Sequence, residues 1–303
     1  MDFWSLAQII LGFVAVVAVG WVLRRTGLLR AEDARPINNI IIYAALPALI
    51  FQAVHPAPLD LEFAWIAGIA WIAFGITATA AWFIYRALGL PSPVSGGFVL
   101  AAALGNTGYI GYPIALTFLG DDGIVRAIFS DVFGTVAALL FVGLVIAERM
   151  GSADEDAVNP VKEALKFPAV IAVFAALALR FVAIPQPVSD GLDLIASLVV
   201  PLIMISVGIS LRPGGIRKYA VPLTILSGLK LVVAPLVALA AGSLLLDHAD
   251  SIRLVVLQAS MPSMMLTLVI GARFKLDTDF IASAILVTTA ASIITVPLMQ
   301  LLV

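Results

Sequence analysis

Apolar stretches long enough to cross a bilayer follow one another along the whole of this 303-residue chain, separated by short polar linkers. A helix needs ~17–25 residues to cross the hydrocarbon core. Ten stretches meet that length, over 4–23, 36–54, 63–88, 94–119, 123–147, 161–182, 192–211, 219–246, 251–272 and 279–302. The chain is 62% hydrophobic and 12% charged, with a mean hydropathy of +1.12. A soluble domain carries about 25% charged residues. The expectation is an all-α integral membrane protein with ten transmembrane helices. The weak alternation of an outer-membrane barrel is absent. With no cysteine, disulfides and thiolate-held metals are excluded. The first stretch starts at Phe3 with no basic region before it, so it is read as a permanent span and not a cleaved signal.

The fourth stretch stops being apolar in its middle, at Gly105-Asn106-Thr107-Gly108-Tyr109-Ile110-Gly111. Backbone freed at that depth is tolerated only inside protein or against a wet cavity. Interrupted spans in matching positions of two halves point to a transporter's binding site. The ninth stretch has its own interruption, Ser260-Met261-Pro262-Ser263, where Pro262 removes a backbone donor.

Alternate linkers differ sharply in charge. One set holds thirteen Lys and Arg residues and the other three, Arg126, Arg180 and Arg253, with Lys230 inside a span. By the positive-inside rule this orients both termini outward and the central acidic linker inward. The linker at 148–160, with Asp154-Glu155-Asp156, divides the spans five and five. The expected organisation is a first repeat at 1–149, a cytoplasmic linker at 150–160 and a second repeat at 161–303. An odd number of spans per half inverts one half relative to the other. Asn39 and Pro47 in span two match the spacing of Asp193 and Pro201 in span seven, and each fourth span is followed by an acidic turn, Asp121-Asp122 or Asp277 and Asp279.

A helix broken at the midplane exposes N–H groups that favour an anion and carbonyls that favour a cation. Asn106, Thr107, Gly108 and Tyr109 at the first break, with Ser260, Pro262 and Ser263 at the second, are the candidate substrate-binding residues. Asp131 and Lys230 are ionisable groups within spans, which makes them candidates for ion coupling or for charge compensation, including pairing with each other. Asn38, Asn39 and Gln258 are secondary candidates, equally suited to hydrogen bonding between helices. His55 and His248 lie at expected outer span ends, and Trp4, Trp21, Trp65, Trp71 and Trp82 fall mostly near span ends, as an aromatic belt requires. No metal site, cofactor site, nucleotide motif or nucleic-acid-binding feature is read. No nucleophile–base dyad is buried, so an enzyme is not expected.

From Gly105 through Tyr112-Pro113, the sequence resembles bacterial members of the auxin efflux carrier family, which share a five-plus-five inverted repeat with bile acid/sodium symporters and sodium/proton antiporters. The resemblance also takes in Gly27-Leu28-Leu29, the Pro47 segment, Asp131 and Met261-Pro262. It implies a secondary transporter of small organic anions (carboxylates) in the bacterial cytoplasmic membrane, working by alternating access. Spans 1, 2, 6 and 7 would form a scaffold, also the candidate homodimer surface. The other six would form an elevator-like transport domain, with substrate held where broken helices four and nine cross. H⁺ and Na⁺ are the candidate coupling ions, and uniport is an alternative. A cation/proton antiporter of the same fold and a non-transporting membrane sensor are the alternative functions. Plant members carry an Asn-Pro-Asn type motif at the first crossover. Here Asn106-Thr107-Gly108 stands in its place, with no proline before Pro113, so auxin is not carried over as the substrate.

Overall fold

The computed structural model describes residues 3–151, 159–210 and 216–303. The acidic centre of the expected linker lies outside the described residues. The described chain is helical, and its one β-type pairing is an isolated antiparallel bridge between Gly105 and Ser263. The helices are α1 (Phe3–Arg25), α2 (Ala31–Val54), α3 (Glu62–Leu88), α4 (Ser92–Ala103), α5 (Thr107–Met150), α6 (Pro160–Lys166), α7 (Pro168–Leu179), α8 (Gln186–Ser210), α9 (Ala220–Leu245), α10 (Ala249–Ala259), α11 (Leu266–Arg273) and α12 (Thr278–Gln300). Among the described residues six of them, α2, α3, α5, α8, α9 and α12, are long and apolar enough to cross a membrane.

Local chemistry explains where these helices start and stop. Proline occupies the first turn of α4, α6, α7 and α8, where its missing N–H leaves no helical bond unmade. Asp277 caps α12 by accepting from the Phe280 N–H at 2.9 Å. α3 ends on Gly89 in the left-handed region (φ 63°), the usual glycine stop. α5 turns sharply at Gly120 (φ 68°, ψ −157°), a conformation closed to L-residues with a side chain. That turn divides α5 where the sequence analysis separates spans four and five. Single wide helical turns occur at Ile41–Ala45, Thr107–Gly111, Ser130–Val136, Leu139–Gly143 and Leu229–Val233. Such bulges often mark functional positions in helices. Asp131 and Lys230 both sit in one.

α1 and α8 pack backbone to backbone. A Cβ at Gly20 would lie 2.2 Å from the Ile205 carbonyl oxygen, and one at Gly208 would lie 2.1 Å from that of Val17. Small residues at close crossings are how helices associate in lipid, where van der Waals contact replaces the hydrophobic effect. The Arg24 guanidinium adds a hydrogen bond to the Ile209 carbonyl at 2.7 Å. α2 joins the same group: the Gln52 amide donates to Asp193 (2.6 Å) and Ser189 (3.0 Å), and the Ser206 hydroxyl donates to Asn38 (2.6 Å). The His55 ring approaches the Leu179 and Val182 carbonyls at 3.0 and 3.1 Å, tying α2 to the end of α7. Separately, α3, α4, α5, α9, α10, α11 and α12 pack on one another. Trp71 departs from the belt expectation: it lies mid-helix in α3 and donates inward to the Phe133 carbonyl of α5 at 2.9 Å.

The α1–α8 contact leaves no room for a side chain. Gly208→Ala should destabilise the purified protein by about 2 kcal/mol through overpacking, read as a lowered melting temperature in detergent. Gly12→Ala, with nothing within 4 Å of its Cβ, should leave the melt unchanged.

Candidate functional site

The two interruptions expected from sequence are hydrogen-bonded to each other. After α4 the chain becomes extended at Leu104 (φ −97°, ψ 123°). The Asn106 N–H donates to the Pro262 carbonyl at 2.7 Å, and the Met264 N–H donates to the Leu104 carbonyl at 3.0 Å. Each break thereby satisfies backbone groups that its own helix has given up, which a membrane interior demands. Pro262 suits this position because it needs no acceptor of its own and offers its carbonyl.

Side chains complete the junction. The Ser263 hydroxyl donates to the Ala101 carbonyl at 2.7 Å, while the Ser263 N–H donates to the Thr288 hydroxyl at 3.0 Å. The Ser260 hydroxyl folds back onto the Val256 carbonyl at 2.7 Å. Thr107 donates to the Asp131 carboxylate through a short hydrogen bond. The sequence analysis names all three residues as substrate-binding candidates. In the structure their hydroxyl hydrogens are engaged by the protein itself.

Both broken ends carry a tethered charge. Asp131, 5% exposed, sits by the start of α5, held by the Thr107 and Tyr112 hydroxyls (the latter at 2.8 Å). It lies so close that a Cβ on Gly108 would be 3.1 Å from its Oδ2. Lys230, 3% exposed, donates from Nζ to the Ala259 carbonyl at the end of α10, at 3.0 Å. A carboxylate at a helix start and an ammonium at a helix end are each the favourable sign for the local dipole. No ion pair joins Asp131 to Lys230 among the described residues, so the expectation that they pair with each other gives way to separate compensation of two helix ends.

Two polar atoms are left over. Asn106 Nδ2 and Gln258 Oε1 are buried with no hydrogen-bond partner. The other Gln258 atom, Nε2, reaches the Ala127 carbonyl only at 3.4 Å. Gly111 makes room for this amide, since a Cβ there would fall 2.2 Å from Oε1. Leaving a buried polar group unmatched costs about 1–3 kcal/mol, so each requires a reason. A small cavity of about 30 Å³ adjoins the junction, lined among others by Gly105, Thr107, Ser130, Thr135, Lys230 and Gln258. It has room for a water or two, so an organic ligand requires the helices around it to part.

Of the remaining candidates, Tyr109 is half-buried beside the junction, and a side chain at Gly108 would press on the Asp131 carboxylate. Asn38 is engaged with Ser206, and Asn39 is exposed on α2. No bond joins either to the breaks. Tyr112 and Thr288 are missed by the sequence analysis. Tyr112 lies within the motif and could have been read as a partner for Asp131. Thr288 lies in an apolar run of α12, with nothing in sequence to connect it to Ser263.

A bundle of apolar helices of membrane-crossing length, with two interruptions joined near buried charges, is the architecture of a multi-pass membrane protein. Residues 5–300 match the family described as membrane transport proteins, and the chain belongs to that family, of which the auxin efflux carriers are part. It is similar to a protein described as an uncharacterized transporter from Methanothermobacter thermautotrophicus, at 32% identity over 98% of both chains. A similarly described protein from Methanocaldococcus jannaschii is also 32% identical, over 96% of both. One from Rhizobium meliloti, described as a "putative malonate transporter", is 25% identical over 96% of this chain and 94% of its own. The protein is a transporter and not an enzyme.

Thr107→Val keeps the shape of the side chain and removes a hydrogen bond to a buried carboxylate. It should cost about 1.5–3 kcal/mol, measured as thermal stability in detergent. Tyr112→Phe should cost a similar amount. The double variant should lose less than the sum, because both bonds end on one carboxylate.

Proposed function

We propose that this protein is a secondary active carrier of small carboxylates, binding them at the junction of the two broken helices and moving them by alternating access. The observation that carries the reading is Asn106 Nδ2, an unpartnered buried donor at the hydrogen-bonded meeting point of both breaks. A carboxylate oxygen is the acceptor it lacks. The uncapped N–H groups opening α5 and α11 add a field of the same sign. The likeness to a protein named for malonate transport supports a small dicarboxylate as the first substrate to try.

In this reading the chain crosses the membrane ten times as an inverted five-plus-five repeat, with both termini outside. The α4–α5 and α10–α11 breaks are the crossing points. α1, α2, α7 and α8 are the scaffold, also the surface for a homodimer, and the rest moves as an elevator. The tight Gly20–Gly208 packing and the bonds within α1, α2, α7 and α8 support a scaffold that stays rigid.

Lys230 already holds the carbonyl end of α10, where a bound cation would be drawn, so transport needs no Na⁺. Asp131 is the proton-coupling group. Protonation weakens its grip on Thr107 and Tyr112, loosening the start of α5 when the carboxylate is neutral. The rival cation/proton antiporter is less well supported, since Asp131 is the one buried acid at the junction among the described residues.

Purified protein in liposomes should take up labelled malonate or a related carboxylate without Na⁺, and Asn106→Ala should weaken its affinity roughly tenfold with the fold intact. Unchanged affinity in that variant removes the site assignment. A second outcome separates coupling from binding. Asp131→Asn should abolish accumulation driven by a pH gradient while sparing substrate exchange, and normal gradient-driven uptake would take Asp131 out of the coupling role.

A further inference from the structure

A second cavity shares no lining residue with the small one at the junction. It is a crevice of about 370 Å³ between α1 and α8 on one side and the start of α5 and α12 on the other. Phe13, Val17 and Trp21 line it from α1, Met204 and Val207 from α8, and Ile293 from α12. Its walls are almost wholly apolar, so water gains nothing by filling it. A carboxylate would lose its hydration there without compensation. What surrounds such a crevice in a bilayer is acyl chain.

The charge at its end selects which lipid. The lining residues of α1 fall at 13, 14, 17, 18 and 21, one continuous helix face. The next positions on that face are Arg24 and Arg25. Arg24 is bound to the Ile209 carbonyl, two residues beyond the Val207 that also lines the crevice. Both helices of that wall therefore reach the same end. Arg25 is exposed there. Trp21, 47% exposed, stands between the apolar walls and this charge, where an indole marks the head-group level.

We propose that this crevice is a binding site for one anionic phospholipid, an acyl chain lying between α1 and α12 and the phosphate resting on Arg25. The lipid fills a gap between helices that no side chain fills. It touches two groups of helices at once, which makes its occupancy sensitive to their relative position.

The test is native mass spectrometry of the full chain released from nanodiscs of equal phosphatidylglycerol and phosphatidylethanolamine. The wild type should retain one phospholipid, with phosphatidylglycerol preferred. Arg25→Gln should lower that preference about fivefold, the effect of one interfacial cation on an anionic lipid. Ala18→Phe should fill the crevice and reduce retention of either lipid. Arg86→Gln, at the end of α3, should behave as wild type. The proposal is overturned if the wild type retains no lipid, if Arg25→Gln keeps the full preference, or if Arg86→Gln loses as much. Should Ala18→Phe fail to fold, the Arg25 comparison decides alone.

Discussion

The structure depends on the rule that backbone polar groups inside a bilayer must find partners within the protein. α4 and α10 end in the interior of the bundle, leaving carbonyls and N–H groups without helical partners. Neither break is tenable by itself. Together they supply each other, through Asn106 to Pro262 and Met264 to Leu104. The Gly105–Ser263 bridge is thus the condition under which the helices can be interrupted at all. A Cβ at Gly105 would lie 3.1 Å from the Lys230 Nζ, so a side chain there would press on the ammonium.

Charge is then distributed to suit the broken ends. Asp131 and Lys230 come from helices adjacent to the breaks, each from a wide turn that gives its side chain a different direction from the regular helix. Neither neutralises the other directly. Each instead stabilises a helix dipole end, with hydroxyl donors or a carbonyl acceptor at bonding distance. Burial of an isolated charge is prohibitive in such a medium. These groups survive because helix ends, hydroxyls and carbonyls together replace the water they have lost.

Much of this was legible in the sequence because membrane constraints leave strong marks. Apolar length, the glycines at 105–111 and Pro262 located both breaks, and the isolated charges at 131 and 230 identified the groups around them. The turn at Gly120 fell where the acidic pair Asp121-Asp122 suggested. What could not be read was who bonds to whom. The side chains of Ser260, Ser263 and Thr107 look like free donors in sequence, yet local carbonyls and Asp131 take them. Thr288 is one hydroxyl among several in α12, and only the folded chain brings it to Ser263. The wide turns leave no periodicity signal, since one extra residue per turn is invisible against uniformly apolar neighbours. Trp71 illustrates the same point: its indole N–H finds a carbonyl on α5 that no pattern within α3 announces.

A carrier must move its empty site as readily as its loaded one, and this restricts which groups can be left unsatisfied. In the proposed cycle the full charges cannot be the groups that wait for substrate, because an uncompensated ion would fix the empty site in place. Asp131 and Lys230 are already satisfied, so returning empty exposes no bare charge. The unmatched group is neutral, the Asn106 amide, and a water is enough to serve such a donor during the return. Substrate then gains from exchanging that water for a charged acceptor, a difference of the size that separates neutral from charge-assisted hydrogen bonds. In the proposed cycle, an amide at the break with charges behind it allows recognition of an anion without immobilising the protein that carries it.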